Sequence, residues 1–319
     1  MDRIDFSLHD DAAHAAAANV WTRACGEVFA LPARTVAYNT RACAGARQAG
    51  QFAVMNGQRV GFALASVLPD DAQTASPQDG WIDVLAVTPE FQKRGIGRAL
   101  LQWAEQWLRA QGCTSARLGS SLRPFAPGVP TELGSADFFR AHNYAAHDEH
   151  AETWDLGLDL RDYVSPALVC AENLSMRPAR ETDADALRAF LAREFPGRWL
   201  YEFEQHLRDG ARISDYMLLE NARGIDACCV MTLEDSQRPI ERFYPSPLPR
   251  PWGQAGSIGV SADRRSAGYG SALLDATLRN LRERGVRGCI IDWTTLVPYY
   301  ERFGFKRQRS YQMLRRDFV

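Results

Sequence analysis

Gln92-Lys93-Arg94-Gly95-Ile96-Gly97 is a glycine-rich stretch that returns later in the chain as Arg265-Ser266-Ala267-Gly268-Tyr269-Gly270. The same kinds of segment flank both copies. A short apolar run precedes each, Val84-Leu85-Ala86-Val87 or Ile258-Gly259-Val260, and predicts a buried strand. An amphipathic segment that ends at a glycine follows each and predicts a helix. The chain therefore contains one strand, turn and helix unit twice.

The two copies keep a constant spacing. Gly95 is followed 173 positions later by Gly268, and Gly112 by Gly285 at the same spacing. One match to so short a glycine pattern is a weak signal, because glycine turns have many uses. Two matches in the same local context indicate a duplicated supersecondary unit.

Length and charge limit the class of protein. A chain of 319 residues is typical of about two domains. We predict an N-terminal domain over residues 1–161, a linker over 162–173 and a C-terminal domain over 174–319. The net charge of -2 gives no general attraction to nucleic acid or to an anionic membrane, so neither is expected as a partner.

The cysteines and the start of the chain predict a reduced, soluble, cytoplasmic protein. The seven cysteines form no CxxC pair. The first residues lack the basic and apolar regions of a signal peptide, and no apolar run approaches the roughly 18 residues of a membrane helix. His142, His147 and His150 have no cysteine or carboxylate partners at ligand spacing, so no metal site is expected.

Periodicity predicts the same order of elements in both halves. The first half has a strand, a helix, two strands around an Asn56-Gly57 turn, the repeated unit, a strand, a short helix and an alternating strand at 154–160. The second half repeats this order and closes with a strand at 289–293, a helix at 298–303 and a strand at 309–314. Each half is therefore predicted to be α/β, with a mixed, mostly antiparallel sheet flanked by helices.

These motifs resemble the GCN5-related N-acetyltransferases, the GNAT superfamily, and in particular its tandem members with two such domains in one chain. The turn (Gln/Arg)-x-x-Gly-x-(Gly/Ala) occurs twice, and Tyr299-Tyr300-Glu301-Arg302-Phe303-Gly304-Phe305 matches the family's late aromatic signature. The resemblance covers nearly the whole chain. It implies two tandem GNAT-like domains, each with a twisted central sheet whose fourth and fifth strands splay apart around acetyl-CoA.

The chemistry of acetyl-CoA gives the repeated unit a purpose. A glycine-rich turn that opens a helix offers backbone N–H groups and the positive end of the helix dipole to a pyrophosphate. The preceding strand would pair with the pantetheine arm and polarise the thioester carbonyl. Ala267 replaces the arginine found at Arg94, which removes a phosphate partner but keeps the backbone cradle. The predicted cofactor-binding residues are Leu85, Ala86, Val87, Gln92, Lys93, Arg94, Gly95, Ile96, Gly97, Arg98, Ile258, Gly259, Val260, Arg265, Ser266, Ala267, Gly268, Tyr269, Gly270 and Ser271.

The resemblance also implies a catalytic acid in the second half. Tyr300, four residues before Gly304, matches the family position of the tyrosine that protonates the departing thiolate. Packing on an amphipathic helix is the alternative role for Tyr300. In the first half Phe139 stands at this position, so the acid is missing, while Asn143 replaces the glycine and tolerates the same left-handed backbone.

The general base is less well defined. Asp292, at the end of a strand beside the expected acceptor cleft, is the candidate, with a partnership to Arg287 or a strand-end cap as alternatives. Asp83 is interpreted as a solvated charge at the start of a strand rather than as a base, and its counterpart in the second half is Gly256.

The predicted function is acetyl-CoA-dependent N-acetyl transfer to a primary amine of a small molecule, by direct attack in a ternary complex, because no cysteine with a histidine partner is evident. Tandem members such as mycothiol synthase make a low-molecular-weight thiol one substrate option. A non-catalytic acyl-CoA-binding or regulatory module, and acetylation of a protein or peptide amine, are the alternatives. The loops at 120–135 and 239–252 are expected to wall the acceptor pocket, and the duplication predicts a pseudo-dimeric monomer or a homodimer.

Overall fold

The computed structural model describes residues 1–147, 151–167 and 174–318. The chain forms two compact units. One consists of Met1–Thr153 together with the segment from Arg309 onward, and the other of Trp154–Gln308. We call them unit 1 and unit 2. Across the described residues, no helix has both the length and the apolar composition that crossing a membrane requires.

Unit 1 is built on one sheet. Its elements are β1 (Asp2–Asp5), α1 (Asp11–Cys25), α2 (Ala33–Asn39), β2 (Arg47–Met55), β3 (Gln58–Val67), β4 (Asp79–Val87), α3 (Ile96–Ala110), β5 (Ser115–Leu118), β6 (Val129–Pro130), α4 (Ala136–Arg140) and β7 (Ala145–Ala146). The strand β15 (Leu314–Asp317), from the end of the chain, completes it. The sheet order is β1-β2-β3-β4-β5-β15-β7. Its pairs are antiparallel except for β4 with β5, which run parallel.

Unit 2 repeats this plan. Its elements are β8 (Glu152–Asp159), β9 (Ser175–Pro178), α5 (Ala184–Glu194), α6 (Arg198–Arg208), β10 (Tyr216–Asn221), β11 (Gly224–Leu233), β12 (Trp252–Val260), α7 (Tyr269–Glu283), β13 (Gly288–Thr294) and α8 (Val297–Glu301). The strand order is β8-β13-β12-β11-β10-β9, with β12 and β13 parallel and the remaining neighbours antiparallel. The strand β14 (Lys306–Gln312) begins in unit 2 and ends in unit 1.

The register of the sheets supports the duplication. Asp79 of β4 pairs with Ser115 of β5, and Trp252 of β12 pairs with Gly288 of β13. Both partners are displaced by the 173 residues that separate the glycine turns. The two parallel pairs are thus equivalent residue by residue, which allows each position of one unit to be compared with a position of the other.

The crossover helices are held by their apolar faces. In α3 the side chains of Leu100, Leu101 and Leu108 are fully buried against the sheet of unit 1. In α7, Leu273 and Leu281 are buried in the same way in unit 2. Burial of each leucine contributes roughly 1.5–3 kcal/mol, so the helix that follows each glycine turn is fixed firmly to its sheet.

The compact units do not follow the chain in simple order. The strand that ends the first predicted domain, residues 154–160, lies in unit 2, whereas the last strand of the chain lies in unit 1. Each unit thus contains the closing strand that sequence order assigns to the other half. Residues 168–173 of the predicted linker lie outside the described residues, so the division at 162–173 stays a prediction.

A buried ion pair attaches the end of the chain to unit 1. Arg316 of β15 donates to the carboxylate of Glu105 on α3 at 2.8 and 3.0 Å, and the hydroxyl of Tyr144 donates to the same carboxylate at 3.0 Å. Glu105 is buried, with a relative exposure of 8%. Hydrogen bonds to charged groups at such sites contribute about 1.5–3 kcal/mol.

We therefore expect Glu105→Gln to lower the free energy of unfolding by about 1–3 kcal/mol, because the guanidinium of Arg316 loses its counter-charge. Denaturant unfolding of the full chain measures the effect. Asp137→Asn is the control, since its ion pair with Arg140 is exposed and should change stability by less than about 0.5 kcal/mol. Equal losses in both variants would show that Arg316 is not anchored by Glu105.

Candidate functional site

The first glycine turn forms an open cradle. Lys93 and Gly95 have positive φ angles of 58° and 82°, and α3 begins at the next residue, Ile96. The side-chain amide of Gln92 donates to the carbonyl of Val87 at 2.9 Å and fixes the turn to the end of β4. The first N–H groups of α3 have no partner within the helix. A concave set of backbone donors at a positive dipole end is suited to an anion.

The second turn has the same conformation. Ser266 and Gly268 have φ angles of 68° and 85°, and α7 begins at Tyr269. Arg265 takes the place of glutamine and donates through Nε to the carbonyl of Val260 at 3.5 Å. The replacement of arginine by Ala267 leaves the shape of the backbone unchanged. The chain thus carries two cradles of equal form, here called the first and the second cradle.

The strand before each cradle stops pairing with its parallel neighbour well before the strand itself ends. β4 pairs with β5 only from Asp79 to Ile82, and β12 pairs with β13 only from Trp252 to Gln254. Each strand also has an irregularity on its other side, between Leu64 and Ala65 of β3 and between Cys228 and Val230 of β11. A β-bulge bends a strand and interrupts its ladder. The end of each strand therefore presents backbone groups towards the gap beside the next strand.

A cavity of about 500 Å³ lies along this gap in unit 1. It runs from Gly95 and Gly97 of the first cradle, past residues 84–87 of β4, to Asp83. The loop at 120–135, predicted to wall the acceptor pocket, contributes Phe125 and several neighbours to its lining. A cavity of this size is typical of small-ligand sites.

Asp83 faces this cavity and is not the solvated residue that the sequence suggested. Its relative exposure is 3%, and its carboxylate accepts from Gln48 Nε2 at 2.7 Å and from Ser66 Oγ at 2.6 Å. Burial raises its pKa, against the lowering effect of these hydrogen bonds. The prediction was wrong because β4 begins at Asp79, so Asp83 lies inside the strand.

Tyr300 is largely buried in the core of unit 2. Its relative exposure is 8%, and its ring lies 5.0 Å from that of Tyr299 and 6.0 Å from that of Phe305. Burial raises the pKa of its hydroxyl, and the charges that Cys229, Tyr299 and Asp292 carry when ionised raise it further. The hydroxyl therefore keeps its proton throughout the neutral range.

Asp292 is held by a polar network. Its Oδ1 accepts from Gln254 Nε2 at 2.7 Å. The side-chain oxygen of Gln254 accepts in turn from Thr232 at 2.9 Å and from Arg238 at 3.0 Å. The carboxylate also lies 3.3 Å from the position that a Cβ on Gly256 would occupy. This network fixes the orientation of Asp292 beside the bend of β12.

The model of the Acetyltransferase (GNAT) family matches residues 15–123 and 184–305, which together make up more than half of the chain. The chain belongs to the GNAT acetyltransferase family. It is an N-acetyltransferase with two tandem family domains, as its motifs implied.

Several known proteins are similar to this chain in sequence or in fold. The mycothiol acetyltransferase of Geodermatophilus obscurus is 28% identical over 245 residues, which cover 70% of each chain. A GCN5-related glucosamine N-acetyltransferase region of a fungal GH3 β-N-acetylglucosaminidase superposes with a TM-score of 0.84 at 24% identity. That match covers 99% of this chain and 38% of the fungal one. A tandem GNAT protein from the clavulanic acid biosynthesis pathway matches with a TM-score of 0.72 at 14% identity, over 99% of this chain and 98% of the other.

The two GNAT units place one carboxylate each beside the gap, but on different strands. Asp83 lies on β4, and Gly119 follows Leu118, the last residue of β5. At the equivalent positions, 173 residues later, unit 2 has Gly256 on β12 and Asp292 on β13. The acid and the glycine have exchanged strands. Each gap thus keeps one acidic side chain and room for it.

Aromatic rings cover the second glycine of each cradle. The ring of Phe138 lies 3.4 Å from the position of a Cβ on Gly97, and the hydroxyl of Tyr299 lies 3.5 Å from that on Gly270. Tyr299, interpreted from sequence as a packing residue, also forms a hydrogen bond with Ser271 of the second cradle. Tyr299 and Tyr300 are adjacent in the sequence, and the sequence alone does not show which of the two rings faces the cradle.

Phe139 stands in unit 1 at the position where the family has its catalytic acid. Phe139 is buried, and its ring contacts Phe138 at 5.1 Å and Tyr144 at 5.9 Å. Asn143 takes a left-handed φ of 66°, close to the 88° of Gly304, which confirms that it replaces the family glycine. His142 binds the carbonyl of Phe138, and His150 lies outside the described residues.

Sequence reasoning missed the helix α1 as part of the cavity wall. Trp21, Ala24 and Cys25 line the cavity of unit 1, and no motif marks them. In unit 2 the large side chains of Phe195 and Trp199 lie against Gly259 instead, where a Cβ would come within 2.6 and 2.7 Å of them. The two units therefore differ in the helices that face the end of the strand.

The raised pKa of Asp83 predicts a stability difference with a defined sign. A carboxyl that is harder to ionise in the folded chain than in the unfolded chain stabilises the fold when protonated, and this contribution is lost as the pH rises through the raised pKa. We expect Asp83→Asn to be more stable than the wild type at pH 8, by about 1.4 kcal/mol for each unit of the shift.

That gain should vanish as the pH falls below the unfolded value of about 3.9, where Asp83 is protonated in both states. Thermal unfolding of the wild type and the variant from pH 3.5 to pH 8 measures this gain. Subtracting the stability of one protein from that of the other at each pH cancels the contributions of the other titrating groups. A variant that is less stable than the wild type at pH 8 would contradict a destabilising buried charge.

Proposed function

We propose that this GNAT enzyme transfers the acetyl group of acetyl-CoA to a primary amine of a small molecule, by direct attack within a ternary complex. The observation that carries the proposal is the end of β4 beyond Ile82, which no longer pairs with β5 and lines a cavity of about 500 Å³ together with the first cradle. The end of β12 repeats the strand and cradle in unit 2.

The residues present fit acetyl-CoA. Gly95 and Gly268 have left-handed backbones that an L side chain rarely adopts. A Cβ on Gly95 would point into open space. The free N–H groups of Arg98, Ser271 and their neighbours at the two helix starts would hold the pyrophosphate. Residues 85–87 and 258–260 would pair with the pantetheine arm. The bound cofactor supplies the activated acetyl group.

Tyr300 would act as the acid of unit 2. Its raised pKa keeps the hydroxyl protonated, so it enters the reaction as a hydrogen-bond donor to the departing sulfur rather than as an anion. Its position in the late aromatic motif supports this role. Phe139 has no proton to donate, so unit 1 would depend on other groups.

Asp292 would accept the proton that the attacking amine loses. Gln254 donates to one carboxylate oxygen, at 2.7 Å, and this leaves Oδ2 available to an amine or to a bridging water. The support of Gln254 by Thr232 and Arg238 keeps the carboxylate in one orientation. The amine must be neutral when it attacks, so a fixed acceptor beside the gap is required.

Direct attack is favoured over an acyl-enzyme. Cys25 is the thiol that lines the cavity of unit 1, and burial raises its pKa to about 12. The thiol form is a poor nucleophile at neutral pH. The cysteines of unit 2 that lie in its core, Cys228, Cys229 and Cys289, are buried and also have raised pKa values.

The release of free thiol from acetyl-CoA tests the proposal. A panel of small primary amines is added one at a time, and the product is identified by mass spectrometry. We expect thiol release with at least one amine, an N-acetylated product in equal amount and no acetyl group on the intact protein. An acetylated cysteine would contradict direct attack. Binding of acetyl-CoA without transfer to any small amine would favour the regulatory module, and transfer only to peptides would favour a protein acceptor.

A further inference from the structure

The two cradles differ by one guanidinium group. Arg94 lies in the first turn, and Ala267 takes its place in the second. The guanidinium of Arg94 lies 5.2 Å from the centre of the Phe91 ring and has no ion pair among the described residues. An arginine that is free at a helix start is suited to a phosphate, because a guanidinium can donate two parallel hydrogen bonds to its oxygens. The turn of the second cradle lacks this group.

The two other arginines of the second turn are already engaged. Nε of Arg264 lies 3.7 Å from the carboxylate of Asp226, which belongs to the neighbouring strand β11. Arg265 donates through Nε to the carbonyl of Val260 at 3.5 Å. Both side chains therefore hold the turn to its own sheet. A replacement for the missing guanidinium has to come from another element.

The end of α8 carries such a group. Arg302 follows α8 with helical dihedral angles, φ -63° and ψ -20°. Ala141 follows α4 in unit 1 with φ -63° and ψ -12°. Each lies two residues before the left-handed residue of its unit, Gly304 or Asn143, and both are exposed. The positions are thus equivalent, and the two units have exchanged an arginine and an alanine between the turn and the short helix.

Arg302 lies on the side of α8 that faces the second cradle. Tyr299, three residues earlier, is on the same side of the helix. Its hydroxyl lies 3.5 Å from the position of a Cβ on Gly270 and forms a hydrogen bond with Ser271. Burial raises the pKa of this hydroxyl, whereas the bond to Ser271 and the charge of Arg302 lower it. Opposite charges act on a pKa in this way from within about 4–6 Å. The guanidinium of Arg302 has no ion pair among the residues that the structure describes.

We propose that Arg302 binds the pyrophosphate of acetyl-CoA at the second cradle, in place of the arginine that this turn lacks. The two units then use the same chemistry from different elements, the turn in unit 1 and the end of α8 in unit 2. The inference rests on the proposed function, because acetyl-CoA is the ligand. Arg302 would also hold the helix that carries Tyr300 against the bound cofactor.

Calorimetric titration of CoA into the full chain tests this role without an acceptor amine. Gly95→Glu blocks the first cradle, so that binding in this background reports on the second. There we expect Arg302→Ala to raise the dissociation constant about 10-fold, since a charge-assisted hydrogen bond is lost. Arg284→Ala is the control. It removes the same charge from an exposed position at the far end of α7 and should change the affinity by less than about 2-fold.

Returning the arginine to the turn is the sharper test. Ala267→Arg should restore the affinity that Arg302→Ala loses, to within about 3-fold of the parent. The reciprocal exchange applies to the first cradle, in a Gly268→Glu background. There Arg94→Ala should weaken CoA about 10-fold, and Ala141→Arg should restore its binding. This second pair keeps the test valid if the variants of unit 2 do not fold.

Several outcomes would overturn the role of Arg302 and leave the proposed function in place. These are unchanged affinity in Arg302→Ala, equal losses in Arg302→Ala and Arg284→Ala, and no recovery with Ala267→Arg. With 3′-dephospho-CoA the loss in Arg302→Ala should persist. A loss seen only with CoA would assign Arg302 to the 3′-phosphate and overturn the exchange. Absence of CoA binding to the wild type would refute the proposed function and this inference together.

Discussion

Replacing Tyr300 by phenylalanine is expected to lower kcat by about 10²- to 10³-fold and to leave KM for acetyl-CoA nearly unchanged, because positioned acids contribute factors of this size to the chemical step. The ring of Tyr300 packs against Phe305 in the core of unit 2, and the variant keeps that ring. Only the hydroxyl group is lost. Steady-state kinetics with the best amine of the panel measures the effect, with thermal unfolding as the check on folding.

Tyr299→Phe is the matched control. It removes the neighbouring hydroxyl, which binds Ser271 of the second cradle, and leaves Tyr300 in place. We expect a change in KM for acetyl-CoA with kcat lowered by less than about 5-fold. If Tyr299→Phe lost the larger part of kcat and Tyr300→Phe did not, the two roles would have to be exchanged. Full activity in Tyr300→Phe with activity lost in Asp83→Asn would move catalysis to unit 1.

Glutamate at Gly95 or at Gly268 is expected to weaken acetyl-CoA at the cradle concerned by at least about 100-fold. A side chain at either position must adopt a positive φ, of 82° or 85°, and its negative charge would face the pyrophosphate. Each variant should therefore remove one cradle from binding and leave the other unchanged. Calorimetric titration of acetyl-CoA into each variant shows which cradle has lost its affinity for the cofactor.

Gly112→Glu and Gly285→Glu are the matched controls for strain. Both glycines have positive φ angles, of 90° and 87°, but they lie at the C-terminal ends of α3 and α7, far along the helix from the cradles. These variants should lose stability as the cradle variants do and keep their affinity for acetyl-CoA. Equal loss of affinity in the cradle variants and the controls would mean that destabilisation, and not the cradle, explains the result.

The repeated glycine turn predicted the fold because its conformation is local. A sharp turn from a strand into a helix needs a glycine, and Gly95 and Gly268 supply it here. The helix after each turn is amphipathic over its whole length. The limits of α1 (Asp11–Cys25) are local in the same way, since Asp10 caps its start and Gly26 ends it. Such signals depend on neighbours in sequence and can be recognised in a single chain.

Long-range pairing could not be predicted in the same way. Residues 154–160 alternate as a strand should, but alternation does not say which sheet the strand joins. The structure places the end of the chain beside β5 in unit 1, where Glu105 holds Arg316. The short helix α2 (Ala33–Asn39) was also not predicted, since its seven residues show little periodicity.

The surroundings of the two candidate aspartates could not be predicted from the sequence for the same reason. Asp83 and Asp292 were both assigned by their place along a strand, and only the side chains of other strands decide their surroundings. Ser66 of β3 and Gln48 of β2 bury Asp83, whereas Gln254 of β12 orients Asp292. The roles of Tyr300 and Asp292 stay predictions, and the positions of their partners now make them testable one side chain at a time.

Titration of acetyl-CoA into the wild-type chain tests the central claim most directly. The account predicts saturable binding that falls when the first or the second cradle is blocked by Gly95→Glu or Gly268→Glu, with two sites per chain if both cradles bind the cofactor. Absence of binding to the wild type, or binding that neither cradle variant changes, would contradict the assignment of these turns to acetyl-CoA and with it the proposed acetyl transfer.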